Sequence, residues 1–575
     1  MTRIGRRLSA VLFGICLSGP WLAPAALAQE ATGDWHGALA LTPQANLPLA
    51  VHLKTGASGL EGTIDNPDQG VFGEPLSGVS VKDGKLTFTG TIAHGTFNGA
   101  WDPAIRGWKG VLSLAGHDYP VELTAGDLPV WSTPSDADIR ASLAHRIDTG
   151  YRGIAMVVGV IDPRGRRIVA YGIRSAADPR PPDGDTVFEI GSITKSFTGL
   201  VLADMVDKRE VGLSDPVAKY LPTDVTVPSH GGKVITLADL ATNTSGLPDN
   251  PADVAVVKPA DFYAGYQASA AQLFELLKQV RLDRDPGAQQ SHSDIGVGLL
   301  GVALARRAGQ SYPALIENRI TGPLGMASTA VAPSPNMLSR RLAGHGLYLL
   351  PAPYIRLGDL AGAGALNSTA NDMLDFLAAE LSFTNSPLTQ AMAIQISAIR
   401  RPSGGGYDMA LEMIVSHAGN LVLTNGGTFG CQSFLGFDAK RRVGVVVLAN
   451  VGQTGGPRVT DDIGMHILTG SAVASLPAPT TQAPTAIPLP PAAFARYVGR
   501  YEFGPQASVT VTRDGDHLFA QLTGQGAYEI FPESPTSFFW RIVDAQLSFV
   551  VGPDDQVTGL VLHQNGRNLP AKRVP

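Results

Sequence analysis

The sequence predicts an α+β chain in three parts: a central domain whose antiparallel sheet is flanked by helices, with one all-β module before it and another after it. Three observations predict this. Ile154–Ile161 is a nearly continuous apolar run, Asp162-Pro163-Arg164-Gly165 turns the chain, and Arg167–Ile173 returns as a second strand. Far downstream, Leu421–Asn425, Ser433–Phe437 and Val443–Leu448 follow in quick succession, with Asp438–Arg442 turning between the last two. Helical periodicity fills the stretch between, so nearest-neighbour pairing joins hairpin and meander into one sheet with helices on its faces. Both ends of the chain instead read as short strand runs broken by turn residues.

Composition bounds the reading. The chain has 575 residues, 44% hydrophobic and 16% charged, which describes a globular chain long enough for several domains. Residues 1–28 read as a secretory signal. Arg3, Arg6 and Arg7 precede an apolar core from Leu8 to Leu17, and Ala26-Leu27-Ala28 is a small-residue cleavage site. That core is too short to span a bilayer, and no later run reaches the required length. A periplasmic or secreted location follows as the expectation. Losing those arginines takes the net charge from −6 to −9, which disfavours nucleic acid and anionic membranes as partners. Cleavage would leave Cys431 alone, so the core and not a disulfide must stabilise the fold.

The elements follow in order. Residues 29–130 form the N-terminal β module, a small sandwich or barrel, with strands at Gly37–Thr42, Pro48–Lys54, Lys85–Thr91 and Gly110–Leu114 and a hairpin signal at Asp83-Gly84. The central domain spans residues 131–470. It opens with an amphipathic helix at Ser135–Ile147, and the helix that follows Gly191 runs apolar to Met205. Thr236 to Asp239 carries a capping pattern; Ala270–Val280, Gly296–Ala308 and Thr369–Glu380 are further helices, the last capped by Ser368. Residues 471–491 are a Pro/Ala/Thr-rich linker, and residues 492–575 a C-terminal β module with tight turns at Asp514-Gly515 and Asn565-Gly566.

The chemistry gathers at the helix after Gly191. Ser192 and Lys195 stand three apart, on one face of a helix start. An amine beside a serine hydroxyl can take its proton or set the electrostatics that let another base do so. The helix start supplies N–H groups suited to an oxyanion. Alone, S-x-x-K reads equally as a cap and a solvated lysine. Two downstream stretches add to it. Pro286 to Gly296 is a turn entering an apolar helix, and Thr424-Asn425-Gly426-Gly427-Thr428 ends a strand, where glycines admit a close backbone approach. No H-E-x-x-H or His pair at ligand spacing suggests a metal, no cofactor motif is present, and no G-x-S-x-G elbow suggests an α/β-hydrolase.

Together, FEIGSITKSFTGL at 188–200, ITLADLATNTSGLP at 235–248, PGAQQSHSDIGVGLLG at 286–301 and the stretch 424–450 resemble the serine β-lactamase and penicillin-binding-protein superfamily over about Thr133 to Gly470. The nearest branch is the class C β-lactamase, D-Ala-D-Ala carboxypeptidase and family VIII esterase group. The resemblance implies a β-lactamase/transpeptidase-like domain, Ser192 as the acylated nucleophile, Lys195 as its proton-handling partner, and backbone N–H groups of Ser192 and Gly427 as the oxyanion hole. Thr424, Asn425, Gly426 and Asp294 fall at its substrate-binding positions. Two motifs depart from it. His292-Ser293-Asp294 stands where the family has Tyr-x-Asn, and Thr424 replaces a basic residue.

Histidine needs little tuning to act as a base near neutral pH, so His292 stands in for the tyrosine. Its bland reading is a histidine in a decayed site. Asp294 favours a protonated, less basic Lys195. Losing the cation at Thr424 weakens recognition of a substrate carboxylate. The expectation is an exported serine hydrolase acting through an acyl-enzyme on a β-lactam, a D-amino-acid peptide or a carboxylic ester. Its partners are small-molecule or peptide substrates, cell-wall fragments among them. The alternative is a catalytically impaired binding module on the same fold.

Overall fold

The computed structural model describes residues 31–126, 132–249, 269–398, 408–473 and 484–574, apart from short gaps within them. The expected signal sequence, most of the 471–491 stretch and the Asn565-Gly566 turn lie outside the described residues. The chain divides into two compact units, residues 1–66 with 73–130, and residues 67–72 with 131–575. Among the described residues no helix is long and apolar enough to cross a membrane.

The first unit is a closed barrel of eight antiparallel strands between Gly33 and Ala125, so of the two expected forms the barrel is found. Pairing of Trp35 with Ala125 closes it. Alternation sets its interior: along Lys85–Gly90, Leu86 and Phe88 point inward between half-exposed threonines. Trp35 and Trp108 are buried inside, and Trp101 meets both edge-on at 6.0 and 5.2 Å. Asp83 and Gly84 both adopt positive φ, +52° and +73°, the geometry a two-residue hairpin demands. The Asp83-Gly84 hairpin joins Val71–Lys82 to Lys85–Gly90, and strands at Gly59–Asn66, Thr96–Asp102 and His117–Ala125 add to those named from sequence.

The second unit contains a seven-stranded antiparallel sheet. Its strands are β1 (Ala155–Asp162), β2 (Gly165–Gly172), β3 (Asp408–Met409), β4 (Ile414–Val415), β5 (Leu421–Gly427), β6 (Gln432–Asp438) and β7 (Val443–Ala449), in the order β2-β1-β7-β6-β5-β4-β3. The early hairpin and the late meander therefore join where β1 pairs with β7, Val158 opposite Val447. Both faces are covered, which explains why these strands read as continuous apolar runs. Ala155, Val157, Val446, Leu448 and Val422 join the large helical core on one face. Met156, Val158, Val445, Val447 and Leu421 join a smaller core on the other, with α1 (Asp136–Ala144) and the C-terminal helix Asp461–Thr469.

On the large-core side, α2 (Ile193–Asp207) is buried from Ile193 to Met205, as befits a helix apolar on every face. Around it lie α3 (Leu237–Ala241), with the expected Thr236–Asp239 capping box, α4 (Ala270–Gln279), α5 (Asp294–Ala308) and α6 (Ala370–Glu380). The cap of α6 is Thr369, which accepts from Asp372 N, and not Ser368. Ser368 is occupied otherwise: it pairs with Phe188 in a two-residue ladder, and its hydroxyl bonds Thr329 at 2.7 Å.

A second closed barrel of eight antiparallel strands runs from Gly499 to Val574, filled by Tyr497, Tyr501, Phe538, Trp540 and Phe549. Gly515 turns one of its hairpins at φ +54°.

Candidate active site

Ser192 caps the N-terminus of α2, and a glycine on each side of a backbone contact puts it there. Gly191 has φ +50°, and a Cβ on it would stand 2.7 Å from Gly427 N and 2.6 Å from Gly427 O. A Cβ on Gly426 would meet Ile190 O at 2.0 Å and Ser192 N at 2.8 Å. The end of β5 thus lies against the start of α2 at a separation that no side chain permits. The hydroxyl of Ser433 ties the two together, donating to Ile190 O at 2.8 Å.

Lys195 is buried, and three oxygens surround its Nζ. It donates to Ser192 Oγ at 2.7 Å and to Ala363 O at 2.8 Å, and it forms an ion pair with Asp294 at 2.7 Å. Two of these contacts are hydrogen bonds and the third is an ion pair by distance, so Lys195 is held between the serine, the Ala363 carbonyl and the Asp294 carboxylate. The Ala363 carbonyl belongs to a segment fixed on α2: Thr198 donates to Gly362 O at 2.8 Å and Leu366 N to Thr194 Oγ1 at 3.0 Å.

Asp294 opens α5 and His292 precedes it by two residues. The Nδ1 of His292 donates to Asp249 Oδ1 at 2.7 Å, and its Nε2 lies 3.8 Å from Asp294 Oδ1. The Asp249 bond raises the pKa of His292 above the ordinary histidine value, against opposition from burial and from Lys195. Burial pushes the Asp249 carboxyl up, but the His292 bond and charge outweigh it and leave it lowered. The signs agree: each partner stabilises the other's charged form.

Behind this row sits Glu412, buried, in the left-handed region at φ +60°. Burial pushes its carboxyl up to about 7, offset in part by Lys195 and His292. Asn243, also left-handed at φ +55°, reaches both Glu412 oxygens at 3.5 Å and accepts from Ser293 N at 3.4 Å. Asp249, Glu412, Asn243 and the Ala363 carbonyl were not legible beforehand. Asp249 had a signal, standing directly after the T-S-G-L-P motif, and Asn243 lies inside the 235–248 stretch.

The structure therefore brings Ser192, Lys195, Asp294 and His292 into one chain of contacts and sets Gly426 and Gly427 against Ser192. It does not bring Asn425 in. Strand alternation turns that side chain away from α2, and its amide donates to Asp461 Oδ2 at 2.6 Å at the start of the C-terminal helix. Thr424 is buried on the α2 side of β5. Arg458, the nearby cation, is committed to the Gly426 carbonyl, to Ser433 O at 3.4 Å and to Asp461 at 3.1 Å. Asp249, His292 and Asp294 hold oxygen and nitrogen atoms within 4.8 Å of one another, the one such grouping among the described residues. Lys195 on Asp294 opposes a second cation there; within the trio the His292 ring bonds Asp249 and stands 3.8 Å from Asp294.

A family model described as Beta-lactamase matches residues 139–469, more than half of the chain, and the chain belongs to that family of serine hydrolases. A second, described as a domain of unknown function, matches residues 483–573, the C-terminal barrel. Among relatives, the chain is 32% identical over 255 residues to the D-alanyl-D-alanine-carboxypeptidase/endopeptidase AmpH of Escherichia coli, covering 44% of this chain and 64% of the relative. It is 24% identical to penicillin-binding protein 4* of Bacillus subtilis over 70% of this chain and 91% of that one. A crystal structure of a class C beta lactamase from Rhodobacter sphaeroides is 25% identical, with a TM-score of 0.48 over 56% of this chain and 95% of that one.

Proposed function

We propose that this chain is an exported serine hydrolase that works through an acyl-enzyme on Ser192. The observation that carries the reading is the 2.7 Å contact between Lys195 Nζ and Ser192 Oγ at a buried helix start, with the ends of β5 and α2 pressed together. Ser192 Oγ attacks a substrate carbonyl carbon. Its proton passes to His292 Nε2 through one water, with Lys195 held between the serine oxygen and the Asp294 carboxylate. The carbonyl oxygen, now negative, is held by the N–H groups of Ser192 and Gly427. The tetrahedral intermediate then expels its alcohol or amine, which leaves with the His292 proton. Water, deprotonated by the same nitrogen, attacks the acyl-enzyme and releases the acid and Ser192. Lys195 acts as a fixed positive charge beside the serine oxygen.

Substrate choice follows from Thr424. A neutral, buried threonine stands where a carboxylate-binding cation is expected, and Arg458 is committed elsewhere. The reading therefore favours carboxylic esters and neutral amides over penicillins and peptides ending in free D-alanine. The names of the relatives support an acyl-transfer site of the D-alanyl-peptidase kind; the altered strand end argues for a different recognition of the leaving side. Labelling with a fluorophosphonate and a fluorescent penicillin tests the reading. Fluorophosphonate labels wild type and not Ser192→Ala. Absence of Ser192-dependent labelling by either probe refutes it and favours a binding module.

A further inference from the structure

Among the described residues, three other places pair a histidine with a carboxylate: His52 with Asp34 and Asp65, His230 with Asp285, and His517 with Glu529. A half-exposed pair of this kind is by itself worth little. The pair at Asp249 differs in what lies beyond the ring. His292 Nδ1 is taken by Asp249, and the opposite nitrogen looks along Asp294 to Lys195 and, through it, to Ser192. Asp249 is also anchored on the segment that carries the ring. Its carbonyl accepts from Ile295 N at 3.1 Å, its carboxylate from Asp294 N at 3.4 Å, and the preceding Pro248 O from Ser293 Oγ at 2.6 Å. The end of the T-S-G-L-P segment is thereby stitched to the start of α5, which opens with Asp294 and is preceded by His292.

We propose that Asp249 is a positioning residue for the hydrolysis, fixing the ring and tautomer of His292 so that Nε2 carries the lone pair that accepts the serine proton. The proposal rests on the reading of His292 as the base. A carboxylate that accepts from Nδ1 holds the proton there and leaves Nε2 free, and it stabilises the imidazolium formed when the serine proton arrives. Asp249 would thus supply this chain with a serine, histidine and aspartate relay where the tyrosine of the family is missing. The charged groups that bear on His292 are Asp249, Asp294, Lys195 and Glu412. Among the described residues Asp249 makes the one short bond to the ring, so its removal dominates.

The test uses the full chain, p-nitrophenyl butyrate, and the variants Asp249→Asn, Asp249→Glu, His292→Asn and the Asp249→Asn/His292→Asn double. Asp249→Asn is expected to lower kcat by about 10²- to 10⁴-fold, the usual contribution of a positioned base. The acid limb of its kcat/KM profile moves to lower pH, because His292 loses the partner that raises it. Asp249→Glu keeps the charge and the wild-type limb. In the His292→Asn background, Asp249→Asn has no further effect. Should the asparagine variant not fold, Asp249→Ser serves in its place. An unmoved limb, or single losses that multiply in the double variant, overturns the proposal while Ser192 labelling stands. Loss of Ser192 labelling in wild type overturns the underlying reading as well.

Discussion

A methyl group on Gly426 tests the contact on which the site is built. Gly426 needs no unusual φ, so Gly426→Ala is a steric wedge without backbone strain. The new Cβ would stand 2.0 Å from Ile190 O, 2.6 Å from Ser433 Oγ and 2.8 Å from Ser192 N. Ordinary non-bonded contact lies near ~3.5 Å, so the end of β5 must retreat from the start of α2 by roughly 1.5 Å. A displacement of about 1 Å in a positioned group costs on the order of 10²-fold, and loss of one oxyanion donor about 10²- to 10³-fold in kcat. Overpacking of this kind costs about 1–3 kcal/mol of stability, which a thermal melt reads independently of turnover. The assay is the initial rate on an activated ester, with Gly504→Ala as control, a glycine with nothing within 4 Å of its would-be Cβ. A folded Gly426→Ala enzyme with kcat within about threefold of wild type would show that this contact does not position the reacting groups.

Three further outcomes follow from the same geometry. Lys195→Met removes the cation beside Ser192 Oγ, and kcat on the same ester falls on the order of 10²-fold or more; turnover near wild type would show that the charge is idle. Glu412 binds a proton more tightly folded than unfolded, so between its unfolded value near ~4.3 and about 7 its contribution to stability falls as pH rises. Glu412→Gln therefore flattens that decline and gains stability at pH 8 relative to pH 5, read by denaturant unfolding at both pH values. Cys431 is buried and burial pushes its thiol up, so iodoacetamide at pH 8 leaves the folded chain unmodified and its activity intact; rapid alkylation without denaturant would contradict that placement.

The parts of this molecule that could be read from sequence are those set by local pattern. Ser135, Thr236 and Ser269 cap helices because a hydroxyl meets an N–H three residues on, and their capping boxes form. Five strands of the central sheet could be read because few polar residues interrupt them; the two-residue strands Asp408–Met409 and Ile414–Val415 are too short to carry a pattern. The barrels were half legible. Their strands at Gly59–Asn66 and Thr96–Asp102 are rich in glycine and asparagine, and closure through Trp35 and Ala125 joins residues far apart in the chain. At the site, Ser192 and Lys195 were legible because one helical turn joins them. Asp249 was not, because a tertiary loop carries it to His292 from 43 residues away. Glu412 was not, because nothing in its surroundings in sequence marks a carboxylate that folds into the left-handed region behind a lysine. Asn425 was misplaced by analogy with the family motif. The period of the strand assigns its side chain to the face opposite Thr424, and Asp461 holds it there.

The central claim is a covalent intermediate on Ser192. Intact-mass spectrometry of the chain, quenched in acid within the first turnovers of p-nitrophenyl butyrate, measures it. A single added butyryl group is expected, mapped by peptide fragmentation to Ser192 and absent from Ser192→Ala. Steady turnover with no adduct, or an adduct that survives in Ser192→Ala, would contradict it.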